Sequence, residues 1–502
     1  MNGYCTVAAL RRSSTIFADP VSRYTGKYAM ISRMLSDLKS PQKFIQDLLF
    51  IVPLAAFFLL FDLGKGSLAS WDEALYAGVA KEMALSGDWL NLTWSWHKWV
   101  DKPPLAIWAT AACYKIFGIS EFSARFFSAL CGIGSVVVTY LIGRNLLNRW
   151  TGFLGALALL SSSHFLRFSR FGMLDAPLTF FISLALYFFW LGREKERYLV
   201  LSGAALGLAF MTKSLAALLV FPVLGIYCWA MGEFVILRSR GYLIGLLVAA
   251  LIALPWHVYM LFHDGAFFIH EVFIKHLFLR PMTVLDGHSG NYYFYIRILV
   301  NKYHPWVLIG IFSAPFFLFK AIKDRLNEIV FLSAWMFSLF LIITLMKTKL
   351  PWYILPLYPP LSISVGWVLA RIFEERYKTF MKFLFLAIMA LHVPYSHLFN
   401  HDYSRPIKGI AVEVSSAVPK DGTLYLYGYH EAPAAAFYLD RRTSYLDDER
   451  TFLEAVEKEK KGFYCLIFQK DLDRLDNRLA TLGLSVKGSF EDFRLVTGKI
   501  SV

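Results

Sequence analysis

Charged residues are scarce in this chain, and their scarcity argues against a soluble globular protein. Only 18% of the 502 residues are charged, whereas 57% are hydrophobic and 17% are aromatic, and the mean hydropathy is +0.49. One soluble core could not bury that much apolar surface. The composition therefore predicts an all-α polytopic membrane protein.

Cysteine is also scarce, and its spacing gives no sign of a metal site or a disulfide framework. None of the five cysteines forms a CxxC pair with another. Residues 1–43 carry basic groups but lack the short apolar core and cleavage site of a signal peptide, so we expect a cytoplasmic tail there.

The predicted membrane region covers residues 44–399 and contains about eleven apolar stretches, or up to thirteen if some divide differently. They are 44–63, 122–142, 150–167, 174–192, 198–212, 214–231, 241–262, 303–320, 327–346, 350–370 and 379–399.

Basic residues cluster on alternate connections between these stretches, which predicts the orientation of the chain. The clusters are 144–149, 193–197, 238–240, 320–325 and 371–378. By the positive-inside rule that side is cytoplasmic, so the other connections are expected to face outward. The net charge of +14 is spread over these short clusters, so we expect membrane lipids and no nucleic acid as partners.

Residues 400–502 change character and predict a small extracytoplasmic α/β domain. Strand-like segments at 422–428 and 462–468 flank a charged helical stretch at 448–461. No catalytic motif is visible there, and a packing or acceptor-binding role is expected.

Polar clusters on the predicted outward side suggest a reactive cavity. Asp72 and Glu73 open a predicted helix that ends near Gly87, where acids suit a helix cap and a catalytic base equally. Lys102 suits a lipid phosphate at headgroup depth, or ordinary snorkelling. With Asp175 and further lysines, these residues predict a cavity that binds an anionic headgroup and deprotonates a hydroxyl or amine.

Five of these segments, in order, resemble the motifs of multispan glycosyltransferases that use polyprenyl-phosphate sugars. The segments are Asp72–Tyr76, Asp101–Pro104, Leu174–Pro177, Met211–Lys213 and Lys347–Pro356. The sequence is similar to bacterial aminoarabinose transferases of lipid A and, more distantly, to protein O-mannosyltransferases, over roughly residues 45–370. The resemblance implies the C-type fold, outward juxtamembrane helices and a sugar donor on an isoprenoid phosphate.

The resemblance also implies roles for individual residues. Asp72 matches a catalytic base, and Asp175 matches a second acid that shapes the acceptor side. Residues matched to substrate binding are Glu73, Tyr76, Lys102, Lys213, Lys349 and Tyr353. Among these, Lys102 and Tyr353 match contacts to the lipid phosphate, and Glu73 is alternatively structural.

One departure from the family pattern concerns a divalent metal ion. Related sequences tend to have glutamate where this chain has Asp101, and that acid helps bind the cation with a histidine of the long outward loop. The resemblance therefore gives Asp101 and His288 as candidate ligands, although aspartate has a shorter reach. A lone loop histidine is alternatively a simple hydrogen-bonding group.

The sequence and its resemblance thus predict a glycosyltransferase that moves a sugar from a polyprenyl phosphate to a lipid A, glycan or protein acceptor on the periplasmic face of a bacterial inner membrane, and inversion at the anomeric carbon is expected. A transporter or lipid flippase is the main alternative, but it should carry mid-span charges and repeated halves, which this chain lacks. A membrane scaffold is a further alternative, in which the acids would affect stability alone.

Overall fold

The computed structural model describes residues 41–69, 71–284, 287–373, 403–428, 432–459, 462–479 and 482–498, with isolated positions between 380 and 390. Within these ranges, the residues from 48 onward belong to one compact unit. The predicted boundaries at residues 43 and 399 stay predictions.

Helices dominate the described chain up to residue 373. They are α1 (Pro41–Leu60), α2 (Asp72–Ser86), α3 (Leu105–Phe117), α4 (Glu121–Leu146), α5 (Arg149–Leu160), α6 (Ser163–Arg170), α7 (Asp175–Gly192), α8 (Arg197–Lys213), α9 (Val220–Met231), α10 (Arg240–Phe268), α11 (Arg280–Met282), α12 (Phe294–Lys302), α13 (Val307–Asp324), α14 (Asn327–Leu345) and α15 (Tyr358–Ile372). Short 3-10 helices at Ser214–Leu219, Phe234–Arg238 and Pro351–Leu357 and a π-helical segment at Ile269–Leu279 connect some of them.

Seven helices of the described chain are long and apolar enough to cross a membrane. They are Pro41–Leu60, Glu121–Leu146, Asp175–Gly192, Arg197–Met231, Arg240–Val272, Asn327–Leu345 and Pro351–Ile372. The predicted polytopic helical class is confirmed, but the number eleven stays a prediction. The predicted stretch 150–167 falls on the short helices α5 and α6, and 379–399 lies largely outside the described residues.

Glycines let neighbouring helices approach closely. A Cβ at Gly203 of α8 would come within 1.9 Å of the carbonyl oxygen of Gly245 in α10, and one at Gly143 of α4 would meet the backbone of Gly152 in α5. Small residues at such crossings permit tight packing between membrane helices, where lipid supplies no hydrophobic drive for association.

Helix α2, which follows the first span, agrees with its sequence signals. Both acids occupy its first turn, and it ends at Gly87, whose φ of 76° is left-handed and whose N–H donates to Met83. Trp71, directly before the helix, has a φ of 73°, an unusual conformation for a bulky residue. Helices α2 and α3 are the two helices expected in the first outward loop.

A buried ion pair fixes the start of α2. Arg125 of α4 donates to both carboxylate oxygens of Glu73, with Nε 2.7 Å from Oε1. The same carboxylate accepts from the N–H of Ala69 at 2.6 Å and of Gly172 at 3.0 Å. The remaining guanidinium N–H groups donate to carbonyls between Leu63 and Ser67. The pair therefore ties α4 to the start of α2, to the turn before α2 and to the turn at Gly172.

The C-terminal region forms the predicted small α/β domain. It contains helices α16 (Arg405–Gly409), α17 (Ala411–Ala417), α18 (Ala432–Leu439), α19 (Glu449–Lys458) and α20 (Gln469–Leu479). The loop after α2 carries the hairpin β1 (Thr93–Trp94) and β2 (His97–Lys98), whereas the domain itself holds β3 (Thr423–Tyr427), β4 (Arg442–Leu446), β5 (Phe463–Phe468), β6 (Ser485–Phe490) and β7 (Phe493–Gly498). The sheet order is β4-β3-β5-β7-β6, with β3 parallel to β4 and β5.

This domain packs on α2. Phe437 of α18 shares an apolar cluster with α2 and α3, and Lys81 of α2 donates to its carbonyl at 2.8 Å while pairing with Asp440 at 3.1 Å. Tyr438 accepts from the N–H of Leu68 at 2.7 Å. The domain therefore packs, as one of its two expected roles requires, against the helix that carries Asp72.

We predict that Glu73→Ala strongly destabilises the fold. Its carboxylate is 1% exposed, so its removal leaves the Arg125 charge buried without its counter-ion, at a cost on the order of 3–5 kcal/mol. Thermal unfolding in detergent should show a large fall in Tm. Glu194→Gln, at an exposed position, is the matched control and should leave Tm unchanged; a wild-type Tm for Glu73→Ala would contradict this structural role.

Candidate active site

A cavity of about 280 Å³ gathers half of the residues that the sequence predicts for the site. Its polar lining consists of Asp101, Lys102, Asp175, Lys213, Ser214, Arg280 and Tyr353. Its apolar lining comes mainly from α7, the Ser214–Leu219 helix and α14, through Leu178, Leu215, Ala216, Leu219, Ile342, Ile343 and Met346, with Val272 and Pro356. Segments far apart in sequence thus present charge and apolar surface to one space.

Lys102 reaches this cavity from the segment before α3. The prolines at 103 and 104 precede the first turn of that helix, and the ammonium of Lys102 donates to the carbonyl of Asp101 at 3.1 Å. Burial lowers the pKa of Lys102 to about 8; Asp101 opposes this shift, whereas Arg280 and Lys213 add to it. An anion in the cavity would restore the charged form, so this lysine suits a phosphate ligand.

Asp175 and Lys213 form a buried ion pair inside the cavity. The carboxylate stands in the first turn of α7, where the helix dipole favours an anion, and Lys213 ends α8, where it favours a cation. Their atoms are 2.7 Å apart, with side chains 2% and 11% exposed. The ammonium also lies 4.9 Å from the ring centre of Tyr353. Three predicted residues are thus in direct contact.

Asp72 and Tyr76 stand beside this group on α2. Asp72 is partly exposed and interacts electrostatically with Lys102, Asp175 and Tyr76. Tyr76 is 5% exposed, and burial, followed by the charges of Asp72 and Asp175, raises its pKa well above the usual value. Its phenol therefore stays protonated and remains a hydrogen-bond donor next to the acids.

Arg280 is a cavity residue that the sequence motifs did not identify. It opens α11 after the π-helical segment, lines the cavity, and interacts electrostatically with both Lys102 and Tyr76. The sequence offered only a weak signal for Arg280. It is a basic residue in the long loop, residues 263–293, that is predicted to face outward, and that side has fewer basic clusters.

Three predicted residues lie elsewhere. Glu73 belongs to the ion pair with Arg125, which supports its alternative structural role. Lys349 is 4% exposed, and its ammonium donates to the carbonyls of Thr344 and Met346 at the end of α14, both at 2.5 Å. His288 has an exposed side chain, and its carbonyl accepts from the N–H of Lys349. Their predicted substrate or metal roles stay predictions.

The surroundings of Asp101 bear on the predicted divalent metal. Throughout the described ranges, no group of three or more His, Cys, Asp or Glu side chains is arranged to hold a metal ion. The ammonium of Lys275 lies 4.0 Å from Asp101 instead. Because metal ligands must be uncharged or negative donors, the neighbours of Asp101 among the described side chains do not fit the expected metal site.

The charge balance of the cavity indicates its ligand. Three cations face two carboxylates, an excess of one positive charge, and Asp175 already neutralises Lys213. An apolar wall continues from the charged end. This combination suits a singly charged phosphate attached to a long hydrocarbon, and Asp72 and Tyr76 border it where a second substrate could approach.

Comparison with known proteins agrees with this geometry. Residues 101–259 match the family described as dolichyl-phosphate-mannose-protein mannosyltransferase. A Pseudomonas fluorescens protein named undecaprenyl phosphate-alpha-4-amino-4-deoxy-L-arabinose arabinosyl transferase 2 is 31% identical over 63% of this chain and 59% of its own length. An uncharacterized protein of Aquifex aeolicus is 32% identical over 63% of this chain and 62% of its own. The chain thus spans about three fifths of these relatives.

A solved structure extends the similarity to nearly the whole chain. ArnT from Cupriavidus metallidurans, bound to undecaprenyl phosphate, matches with a TM-score of 0.73 over 90% of this chain and 97% of its own, at 20% identity. The fold is therefore ArnT-like, with a small sheet domain at the C-terminus. The resemblance seen in the motifs is confirmed: the chain is similar to proteins named as undecaprenyl-phosphate aminoarabinose transferases, over about three fifths of their length.

Proposed function

We propose that this chain transfers a sugar from a polyprenyl phosphate, such as undecaprenyl phosphate, to a lipid A, glycan or protein acceptor at the outer face of a bacterial inner membrane. The observation that carries the proposal is the cavity in which Lys102 and Arg280 meet an apolar wall beside Asp72.

The donor site follows from charge and polarity. A sugar linked through phosphate to a lipid carries one negative charge, which equals the positive excess of the cavity. The apolar residues of α7 and α14, such as Leu178 and Ile342, would face the isoprenoid chain. The names of the Pseudomonas relative and of the ArnT ligand, both of which include undecaprenyl phosphate, support this donor class.

The reaction needs one displacement at the anomeric carbon of the sugar. An acceptor hydroxyl or amine forms a bond to that carbon, the bond from carbon to phosphate oxygen breaks, and the phosphate leaves with the electron pair. Asp72 takes the acceptor's proton. The phosphate gains a negative charge in this step, so Lys102 and Arg280 stabilise the transition state more than the ground state. Attack opposite the leaving group inverts the anomeric configuration.

The remaining cavity residues orient the substrates. Asp175, held by Lys213, presents a fixed carboxylate on the side of Asp72, where it would bind acceptor hydroxyl or amine groups. Tyr76 contributes a protonated phenol next to it. Tyr353 lies under the Lys213 ammonium, and its hydroxyl would donate to the donor phosphate.

Direct transfer with the purified full chain tests the proposal. Proteoliposomes receive undecaprenyl phosphate-linked aminoarabinose, then pentose and hexose donors, with lipid A, glycolipids and envelope proteins as acceptors. Mass spectrometry should detect free undecaprenyl phosphate together with an acceptor heavier by one sugar. Donors that remain intact with every acceptor would refute the activity, and donor movement across the bilayer without cleavage would favour a flippase.

We predict that Asp72→Asn lowers turnover by about 10²–10⁴-fold, because the amide cannot accept the acceptor's proton. Binding of undecaprenyl phosphate and Tm should stay near wild type. Asp88→Asn, in the exposed loop after α2, is the matched control and should keep full turnover. Wild-type turnover in Asp72→Asn would remove Asp72 as the base.

We predict that affinity for undecaprenyl phosphate falls as the pH rises through about 8. The lowered pKa of Lys102 means that its charge is present below this pH and is lost above it. The phosphate's own second ionisation, near pH 6, is complete in this range. The fall should be about three- to tenfold over two pH units, because one charge contact disappears.

Lys102→Arg is the control for this pH dependence, since guanidinium stays charged. Binding titrations of this variant should be flat over the same range. A wild-type affinity that does not change between about pH 7 and 10 would show that Lys102 does not hold the phosphate through its charge.

A further inference from the structure

Asp101 lies between two cations that belong to different segments. Its own neighbour Lys102 lines the cavity, and Lys275 of the Ile269–Leu279 segment places its ammonium 4.0 Å from the Asp101 carboxylate. Lys275 is also held by Glu271, one turn earlier, at 2.6 Å. The three side chains form a short chain of alternating charge at the rim of the cavity.

The segment that carries Lys275 also presents Arg280. Val272 of this segment is 5% exposed and packs in the cluster that joins α2 and α3, and Arg280 lines the cavity at its end. Arg280 and Lys102 are therefore two like charges brought together by separate parts of the chain. Their mutual repulsion must be offset if both are to face one phosphate.

We propose that Lys275, bound between Glu271 and Asp101, replaces a divalent metal at this site and positions Lys102 and Arg280 for the donor phosphate. The inference rests on the proposed function and specifies how the donor site is assembled. Lys275 is a positioning residue, since the observed contacts place it against Asp101 and Glu271 at the rim.

The chemistry of the donors supports an ammonium over a metal. A divalent ion needs several oxygen or nitrogen donors directed at one point, whereas Asp101 and Glu271 point at the same ammonium. The contact between Asp101 and Lys275 joins the segment that carries Lys102 to the segment that leads to Arg280. In the expected metal site, a bound cation would join these segments instead. The pair is about one-third exposed, so the energetic effect of the link alone is modest.

The test measures binding of undecaprenyl phosphate to the purified full chain, with and without EDTA. Wild-type affinity should be unchanged by EDTA and by added ZnCl₂ or MgCl₂. Lys275→Met should weaken binding by about three- to tenfold, as expected for loss of one partly exposed ion pair, and Lys275→Arg should restore most of it. Tm of each variant reports whether the fold persists.

A double-mutant cycle separates positioning from a general loss of stability. If Lys275 acts through Asp101, then Asp101→Asn weakens binding similarly, and the double variant Asp101→Asn with Lys275→Met is no weaker than either single variant. Lys98→Met is the matched control: Lys98 pairs with Asp264 away from the cavity lining, and its loss should leave affinity unchanged.

The outcomes distinguish this inference from the proposed function. No binding of undecaprenyl phosphate by the wild type would refute the proposed donor. Wild-type binding that EDTA abolishes and Zn²⁺ or Mg²⁺ restores would place a metal at the site and overturn the role of Lys275. Undiminished binding by Lys275→Met, or additive losses in the double variant, would also overturn it while leaving the donor assignment intact.

Discussion

The ion pair between Glu73 and Arg125 is the constraint on which the site depends. A guanidinium inside an apolar helix is costly unless its charge and its donors are satisfied, and here a carboxylate and several carbonyls satisfy them. Because the same carboxylate accepts from Gly172, it also fixes the turn that leads to Asp175. One buried pair thus holds the segment that leads to Asp175 in the cavity lining and the helix turn that carries Asp72, which interacts electrostatically with Asp175.

Adjacent acids in one helical turn have different roles because their surroundings differ. Glu73 is buried, and its carboxylate is bonded to Arg125 and to backbone N–H groups. Asp72, one residue earlier, is partly exposed and interacts electrostatically with Lys102 of the cavity lining. The C-terminal domain secures the far part of the same helix through Lys81 and Asp440. Helix α2 is held at both ends, which fixes the orientation of Asp72, the base that we propose, in its first turn.

Local sequence predicted those features that local chemistry decides. The two acids opening α2, its end at Gly87 and the lysine before Pro103 depend on neighbours within a few residues, and the structure places them as expected. The place of Arg280 in the cavity and the bonds from Lys349 to the carbonyls that end α14 could not be predicted in this way, since local sequence does not show which distant groups a basic side chain meets. Their roles depend on contacts between segments far apart in the chain.

The arrangement of charge explains why one cavity needs so many ionisable groups. Lys102 resists burial and is repelled by Arg280 and Lys213, and these effects, burial first, lower its pKa. The third cation of the lining, Lys213, is paired with Asp175. At the rim, the carboxylate of Asp101 lies 4.0 Å from the ammonium of Lys275. Counted over the cavity lining, the two carboxylates leave a net excess of one positive charge. In the reaction that we propose, the leaving phosphate acquires a second negative charge, and a positive excess stabilises that species more than the singly charged donor.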